Sequence, residues 1–231
     1  MTSSSVQIPP VGLFARHAID RNIELARQLG ADARPEDYRL PPTAQAQAWL
    51  RGVLAAHGME HRQYLVAVPG TRWPTKVYPA RLWQRALGLV TPRRPIVLVG
   101  AGDEIGLCDE IANGVTAQAG GGGGAPLLIN LAGKTNLPQL VALIASAGGV
   151  VCGDSAAAYI APAVQTPFVM LIGPTREDRT GPYGSLGRAL VAPVACQGCL
   201  KRRCLHTTCM QTIVPGDVAM AVSGLIDLGK R

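Results

Sequence analysis

The chain has 231 residues, of which 48% are hydrophobic and 16% charged, which argues against a disordered polymer and favours one large domain or one and a half. Aromatic residues are scarce at 4% while there are 27 glycines, a mixture that suits helices packed on a sheet better than a β-sandwich. The net charge of +7 favours an anionic partner, whether a nucleotide, a phosphorylated lipid, a membrane surface or nucleic acid, or else serves only solubility.

The N-terminal stretch, MTSSSVQIPPVGLFARHAIDRN, lacks the charged start and the apolar run of about 7–15 residues that a secretory signal has. No later run reaches about 18 apolar residues, because Asp154 and Gln165 interrupt the longest candidate. We therefore expect a cytoplasmic protein. In that reducing compartment its six cysteines are metal ligands or buried apolar residues rather than disulfides.

Two helices separated by a polar connector are predicted before the first strand. Residues 17–30 form an amphipathic helix, residues 31–43 a Pro-rich connector, and residues 46–59 a second helix. Because this pattern differs from that of the remaining chain, we predict a helical linker region over residues 1–62 and a separate domain over residues 63–231.

From residue 64 onward, short apolar runs alternate with helical patterns. Six runs are predicted to be strands: 64–68, 96–100, 126–131, 150–153, 167–173 and 189–194. Five segments have helical periodicity: 79–90, 103–114, 137–149, 155–164 and 214–228. Asn113-Gly114 is expected to end the second helix, and residues 119–125 to form a flexible glycine-rich loop. The alternation indicates an α/β fold, a Rossmann-like parallel sheet with helices on both faces.

Polar residues follow the strands at the carboxyl edge, where parallel sheets bind ligands. Asp154 and Ser155 stand where a strand ends and the next helix begins, and the N–H groups of a helix start suit a phosphate. The alternative is that one of these two side chains simply caps the helix.

Three further residues follow the first two strands. Thr71 and Lys76 could meet a pyrophosphate, and Glu104 could accept hydrogen bonds from ribose hydroxyls. Each could instead be an ordinary surface residue, and GAGDE lacks the full spacing of a glycine-rich phosphate turn. Their shared position on one edge of the predicted sheet favours a common nucleotide site.

Near the C-terminus, CQGCLKRRCLHTTC places four thiols at the spacing of a zinc knuckle. Cys196, Cys199, Cys204 and Cys209 would complete a tetrahedral site for structural Zn or Fe. A nucleic-acid-binding knuckle, a structural metal clip and reduced thiols without metal all stay open. The first is disfavoured because LKRR and LHTT offer neither a turn glycine nor an aromatic residue for base stacking. The basic residues 201–203 would instead face a phosphorylated lipid or a membrane surface.

Read in order, these stretches resemble the C-terminal half of glycosyltransferase family 9, the ADP-heptose:lipopolysaccharide heptosyltransferases. The resemblance rests on VAVPGTRWPTKVYPARLW, LVGAGDE, NLAGKTNLPQLVALIASAGGVVCGDSAAAYIAPAVQTPFVMLIGPTREDRTGPYG and CQGCLKRRCLHTTCM, which span about residues 64–215. It implies the fold of the C-terminal, nucleotide-sugar-binding domain of a GT-B glycosyltransferase, with the Cys-rich loop at 196–210. Residues 17–30 resemble the segment that links the two halves of these enzymes, so residues 1–62 would be a remnant of the interdomain region.

The resemblance also implies donor-binding residues. Those that would contact the donor phosphates are Thr71, Lys76, Asp154 and Ser155. Glu104 would bind the ribose, and Thr175 would lie nearest the donor in a closing loop. The family pattern is Asp-Ser/Thr-Gly followed by His, whereas here Ala156 stands at the glycine position and Tyr159 at the histidine position. Ala156 therefore brings a methyl group to the phosphate site, and Tyr159 supplies no imidazole.

The same resemblance implies the donor-binding part of an inverting heptosyltransferase of lipopolysaccharide core synthesis. Its donor would be ADP-heptose and its acceptor the lipopolysaccharide inner core, and its chemistry would need no cofactor, because fixed positive groups stabilise the departing nucleoside diphosphate. The catalytic base is expected in an N-terminal acceptor domain without a counterpart in these residues, so we expect no transfer by this chain alone. Its partner would be that domain or a separate subunit, at the cytoplasmic face of the inner membrane.

Two other functions stay open. The Cys spacing and the positive charge would also suit a non-catalytic zinc-binding module that contacts nucleic acid. Ala156 and Tyr159 would also suit a degenerate family member that keeps the fold but has lost its ligand.

Overall fold

The computed structural model describes residues 17–90, 94–118 and 127–228. Its strands are β1 (Leu65–Val68), β2 (Ile96–Leu98), β3 (Leu128–Asn130), β4 (Gly149–Gly153), β5 (Phe168–Ile172) and β6 (Gly187–Val191). They form one sheet in the order β3-β2-β1-β4-β5-β6, and every neighbouring pair is parallel. The predicted Rossmann-like parallel sheet is confirmed.

Helices cover the sheet and connect its strands. They are α1 (Ala18–Gln28), α2 (Ala44–Ala56), α3 (Ala80–Gly88), α4 (Ile105–Gln118), α5 (Leu137–Ser146), α6 (Ala157–Ala163), α7 (Glu177–Thr180), α8 (Thr208–Gln211) and α9 (Pro215–Leu228). Three short 3-10 turns lie at Pro35–Asp37, Pro74–Lys76 and Gly102–Glu104. Within the described ranges, no helix is both long and apolar enough to cross a membrane.

Strand β1 is apolar throughout because both of its faces are buried. Val66 and Val68 belong to the core between the sheet and helices α2, α5 and α6, whereas Leu65 and Ala67 belong to the core that includes α3, α4 and α9. Because both faces of the sheet are covered, every residue of the strand is buried. The prediction of helices on both faces is therefore confirmed.

The N-terminal helices lie against this domain. Ala46 and Leu50 of α2 and the following Met59 belong to the same core as the sheet. His17 joins helix α1 to the loop after α7. Its Nε2–H donates to the Gly181 carbonyl at 2.9 Å, and its Nδ1 accepts from the Ile19 N–H at the start of α1 at 3.1 Å. The division at residue 62 stays a prediction, and the first 16 residues of the proposed linker lie outside the described part.

Helix α4 does not end at Asn113-Gly114, so that prediction is wrong. The helix continues to Gln118. A side chain at Gly114 would collide with the Gln84 side chain of α3, whose amide donates to the Glu110 carbonyl at 2.9 Å. Glycine is present for close helix packing rather than for a stop. The predicted flexible loop, residues 119–125, lies outside the described residues.

Strand β6 is shifted toward the N-terminus of its predicted range. It begins at Gly187, which pairs with Phe168, and ends at Val191. Pro193 has no N–H with which to continue a ladder, so the apolar run that extends to residue 194 is not all strand. At the N-terminal end of β6, there is no room for a side chain at Gly187, because it would collide with the Phe168 ring. The first residue of the strand is therefore a glycine, and the apolar pattern does not include it.

Candidate functional site

A cleft of about 560 Å³ lies at the carboxyl edge of the sheet. The strand order reverses there: from β1 the chain adds β2 and β3 on one side of the sheet, and then β4, β5 and β6 on the other side of β1. Such switch points are the usual ligand sites of parallel sheets. The predicted donor-binding residues that line the cleft are Thr71, Lys76, Glu104, Asp154, Ser155 and Ala156.

An ion pair joins the loop after β1 to the loop after β4. Lys76 Nζ lies 3.5 Å from Asp154 Oδ2, and the two side chains are only 13% and 9% exposed. The Thr180 hydroxyl also donates to Asp154 Oδ2, at 3.3 Å. Since burial of charges is costly unless they are paired, the carboxylate fixes an ammonium group at the wall of the cleft. The result is a positioned positive charge, suited to an anion.

Ser155 contributes a hydroxyl that no described residue satisfies. Its Oγ is buried without a hydrogen-bond partner. The Cys152 thiol lies nearby, yet no hydrogen bond of acceptable geometry joins the two. A buried unsatisfied hydroxyl costs about 1–3 kcal/mol, which a ligand group could recover.

No side chain caps α6, and the helix begins at Ala157 rather than at the predicted residue 155. The alternative that Ser155 or Asp154 serves as a helix cap is therefore wrong. The Asp154 carboxylate is instead occupied by Lys76 and Thr180. The backbone at the start of α6 consequently faces the cleft without a carboxylate or hydroxyl bound to it.

Glu104 lies against two glycines at the ends of β1 and β2. Its Oε2 accepts a hydrogen bond from the Ala101 N–H at 2.8 Å, which closes the 3-10 turn. A side chain at Gly70 would occupy the space of the carboxylate, and one at Gly100 would come within 3.0 Å of Oε2. The two glycines thus let the carboxylate lie on the backbone beside the cleft.

Tyr159 also lines the cleft. Burial, with smaller effects from Asp154 and Tyr38, raises the pKa of Tyr159 to about 12. The phenol is therefore neutral at pH 7. Its backbone carbonyl accepts a hydrogen bond from the Tyr38 hydroxyl at 2.9 Å, which ties the cleft wall to the connector before α2.

Thr175 does not join the described lining of the cleft. It is 4% exposed, its hydroxyl has no hydrogen-bond partner among the described residues, and its carbonyl accepts from the Gln197 amide at 2.8 Å. Among the polar residues that line the cleft, the sequence analysis did not single out Arg72, Thr135 and Asn136. Arg72 is exposed and follows Thr71 directly in the sequence. Its positive charge beside a predicted phosphate-binding residue is the feature from which it could have been predicted.

The Cys-rich loop is held by its backbone. The N–H groups of Gly198 and Leu200 donate to the Gly173 and Pro174 carbonyls at 3.3 and 2.7 Å. Two thiols of the loop are exposed, one is partly exposed and one is buried: Cys196, Cys199, Cys204 and Cys209 respectively. The loop is thus tied to the end of β5 without any cross-link between its thiols.

The thiols of this loop differ in acidity. Hydrogen bonds from the His206 and Thr207 backbone lower the pKa of Cys204. Burial raises the pKa of Cys209, with smaller effects from the other three thiols. Across residues 17–90, 94–118 and 127–228, no three His, Cys, Asp or Glu side chains are grouped so that they could hold a metal ion. The predicted Zn or Fe site consequently has no support in this geometry.

Several known proteins resemble this chain in sequence. The model of glycosyltransferase family 9 (heptosyltransferase) matches residues 8–209. Lipopolysaccharide heptosyltransferase 1 of Pseudomonas aeruginosa is 28% identical over 195 residues, which cover 84% of this chain and 50% of that protein. Lipooligosaccharide heptosyltransferase 2 of Haemophilus influenzae is 35% identical over 114 residues, or 49% of this chain and 30% of that protein. The chain spans about half the length of the first of these relatives.

Solved structures share the fold. The structure of the Escherichia coli ADP-heptose LPS heptosyltransferase II superposes with a TM-score of 0.71 at 21% identity, over 96% of this chain and 66% of that one. A family 9 glycosyltransferase of Veillonella parvula gives a TM-score of 0.71 at 19% identity, over 92% and 61% of the two chains. At such identities the likeness concerns the arrangement of helices and strands alone.

Proposed function

The chain belongs to glycosyltransferase family 9, and from this membership we propose that its cleft binds the nucleotide-sugar donor of a heptosyltransferase of lipopolysaccharide core synthesis. The observation that carries the proposal is the Lys76–Asp154 pair beside the unsatisfied Ser155 hydroxyl at the switch point of the sheet. A buried, oriented ammonium and a free hydroxyl are groups that a pyrophosphate can use.

Each residue predicted to bind the donor receives a role in this proposal. Lys76 and Ser155 contact the donor pyrophosphate together with the backbone at the start of α6, and Asp154 keeps the ammonium in place. Glu104 accepts from the ribose hydroxyls, and Thr71 lies beside the phosphates. Ala156 lines the same wall, so its methyl group narrows the approach of the phosphate to the backbone. Thr175 is proposed to reach the donor only if its loop moves, since its hydroxyl is buried.

The donor is proposed to be ADP-heptose, because one relative, an Escherichia coli heptosyltransferase, has been solved both with ADP and with ADP-2-deoxy-2-fluoro heptose. Departure of the nucleoside diphosphate, with inversion at the sugar, would be assisted by the fixed charge of Lys76, without a cofactor for the chemistry. The base and the acceptor site would come from an acceptor-binding domain or subunit, corresponding to the part of the longer relatives that this chain does not match.

The exposed tip of the Cys-rich loop supports contact with the lipid-linked acceptor or the membrane surface around it. Lys201 and Arg203 are exposed, and Leu205 is 106% exposed. Cations beside an apolar side chain in water suit an anionic lipid interface. We therefore assign a peripheral location at the inner membrane. Binding to vesicles that contain anionic lipid, lost in Leu205→Ser and absent with neutral vesicles, would support this assignment.

Titration calorimetry with ADP tests the proposed donor site, with UDP and GDP as controls for the base. We expect Lys76→Ala to weaken ADP binding by about 10- to 100-fold, since a charge-assisted hydrogen bond contributes about 1.5–3 kcal/mol. Lys134→Ala is the matched control, because Lys134 follows β3 at the same edge of the sheet but does not line the cleft. Equal affinities of the two variants would reject the site.

The alternatives make different predictions in the same experiment. A degenerate family member would bind none of the three nucleotides, and Ala156 and Tyr159 would be the residues to restore to Gly and His. A zinc-binding module that contacts nucleic acid would contain stoichiometric metal and bind oligonucleotides with a steep salt dependence. The described thiols give that alternative no support.

A further inference from the structure

Trp73 lies in the loop after β1, and two cations lie over its ring. Lys76 Nζ is 4.8 Å from the ring centroid and Arg202 Cζ is 4.6 Å from it. Indole is the strongest aromatic partner for cations, so both contacts are attractive. One of the cations, Lys76, lines the cleft, whereas Arg202 comes from the Cys-rich loop and does not. The ring thus connects two segments that are distant in sequence.

The contact between these segments is reinforced by a partly buried hydrogen bond. The Thr75 hydroxyl, on a residue only 2% exposed, donates to the Lys201 carbonyl at 2.8 Å. Next to it, Leu200 has a φ of 58°, in the left-handed region, which a residue other than glycine adopts only when its surroundings hold it there. Arg202 is therefore presented to Trp73 by a backbone that is fixed on its N-terminal side.

The loop after β1 is closed by its own hydrogen bonds. The Trp73 carbonyl accepts from the Thr71 hydroxyl at 3.0 Å and from the Lys76 N–H at 2.9 Å. The Lys76 side chain then has two partners, the Trp73 ring and the Asp154 carboxylate. A lysine has a long, flexible side chain, and restricting it before the ligand arrives lowers the entropy lost on binding.

Arg202 limits the positions open to Lys76. Two like charges that share one ring repel each other, so Arg202, whose backbone is tethered, restricts where the Lys76 ammonium can lie over the ring while it is paired with Asp154. We infer that Arg202 and Trp73 are positioning residues for Lys76, so that the Cys-rich loop sets the place of the ammonium group in the cleft. This inference rests on the proposed function for its effect on donor binding, but not for its effect on Lys76 itself.

The first test observes Lys76 without any ligand. The chain has four lysines, at positions 76, 134, 201 and 230. Isotope labelling of lysine alone therefore gives few side-chain methylene signals in an NMR spectrum. The signals that disappear in Lys76→Arg are those of Lys76. The ring current of Trp73 should displace these signals from the others. We expect Arg202→Gln to change the chemical shift of the Lys76 signal, whereas Arg202→Lys should keep the shift of the unaltered protein. Arg203→Gln makes the same charge change one residue along and should leave the Lys76 shift unchanged.

An unchanged Lys76 signal in Arg202→Gln, or an equal change in Arg203→Gln, would overturn the inference. Because Arg202 is exposed, its replacement should leave the fold intact, and the thermal midpoint checks this.

The second test measures the consequence for ADP affinity. Arg202→Gln should weaken binding by about two- to fivefold, the range of an exposed cation–π contact. In the Lys76→Ala background the same change should have no further effect, which a purely structural role would not predict. Additive losses in the double variant would count against the inference. If the unaltered protein binds no ADP, the donor proposal fails, and the Lys76 signal alone decides the positioning role.

Discussion

The loop after β1 and the Cys-rich loop meet at Trp73 but are held in opposite ways. In the first, side chains are buried and bound to one another, as Lys76 is to Asp154. In the second, the backbone carries the contacts, through Leu200 and Lys201, while the side chains of Arg203 and Leu205 are in water. Substitutions in the first loop should therefore affect stability and ligand affinity most, whereas those in the second should affect mainly surface chemistry, except at Arg202, whose side chain lies over the Trp73 ring.

The largest expected effect is that of breaking the buried pair. Asp154→Asn keeps the shape of the side chain but leaves the Lys76 ammonium with an uncompensated charge, and we expect a loss of about 2 kcal/mol in the free energy of unfolding. Urea denaturation measures it. The control is Asp178→Asn, which breaks the exposed pair with Arg176 and should change stability little. Equal losses would remove the contrast between buried and exposed charges.

A smaller effect is expected when the Glu104 carboxylate is displaced. Gly70→Ala places a methyl group where that carboxylate lies. The flexible end of the side chain can move away, so stability should hardly change, but loss of hydrogen bonds to ribose should weaken ADP binding by about tenfold. Gly102→Ala in the same region has open space around it and is the control for calorimetry. Tight binding by both variants would remove Glu104 from the site.

The contact between the two loops should contribute less. Thr75→Val removes the hydroxyl that donates to the Lys201 carbonyl, and we expect a loss of about 1 kcal/mol in the free energy of unfolding. Thr116→Val is the matched control, since that hydroxyl bonds the preceding turn of α4 at an exposed position. A loss confined to Thr116→Val would mean that the Cys-rich loop contributes nothing to the stability of its neighbour.

The last prediction concerns chemistry with no effect on the fold. Backbone hydrogen bonds lower the pKa of Cys204, whereas burial raises the pKa of Cys108 to about 11. At neutral pH Cys204 therefore has more thiolate and should be alkylated first, and its reaction should persist to lower pH. Mass spectrometry of samples alkylated across a pH series gives the order. Faster labelling of Cys108 would show that helix α4, which buries this thiol, opens locally.

The parallel sheet could be predicted from sequence because strands buried on both faces have continuous apolar runs, as β1 and β5 do. The end of helix α4 could not be predicted in this way. Glycine is needed at position 114 because the side chain of Gln84, thirty positions earlier in the chain, packs against it. Contacts of this kind have no local signature. The end of β6 was misjudged for a related reason, since backbone pairing with β5 and not apolarity defines it.

The cleft was predicted from the position of polar residues after strands, and Lys76 and Asp154 do lie together there. The sequence gives no reason to pair Trp73 with Arg202, since these residues are separated by most of the domain. Nor does the spacing of the four cysteines determine their distances in space, because the loop follows its backbone hydrogen bonds to the end of β5.

The adjacency of β1 and β4 also bears on how the protein folds. Leu65 pairs with Gly149, so the two strands that flank the cleft are joined across an intervening stretch that contains two further strands and their helices. Such distant pairing slows folding, since the entropy of closing the chain is lost before the contacts form. Any nucleotide that bridges the two strand ends recognises only the finished domain. Binding of such a nucleotide would therefore raise the unfolding temperature of the whole sheet. The added free energy of unfolding would grow with the logarithm of the nucleotide concentration once that concentration exceeds the dissociation constant.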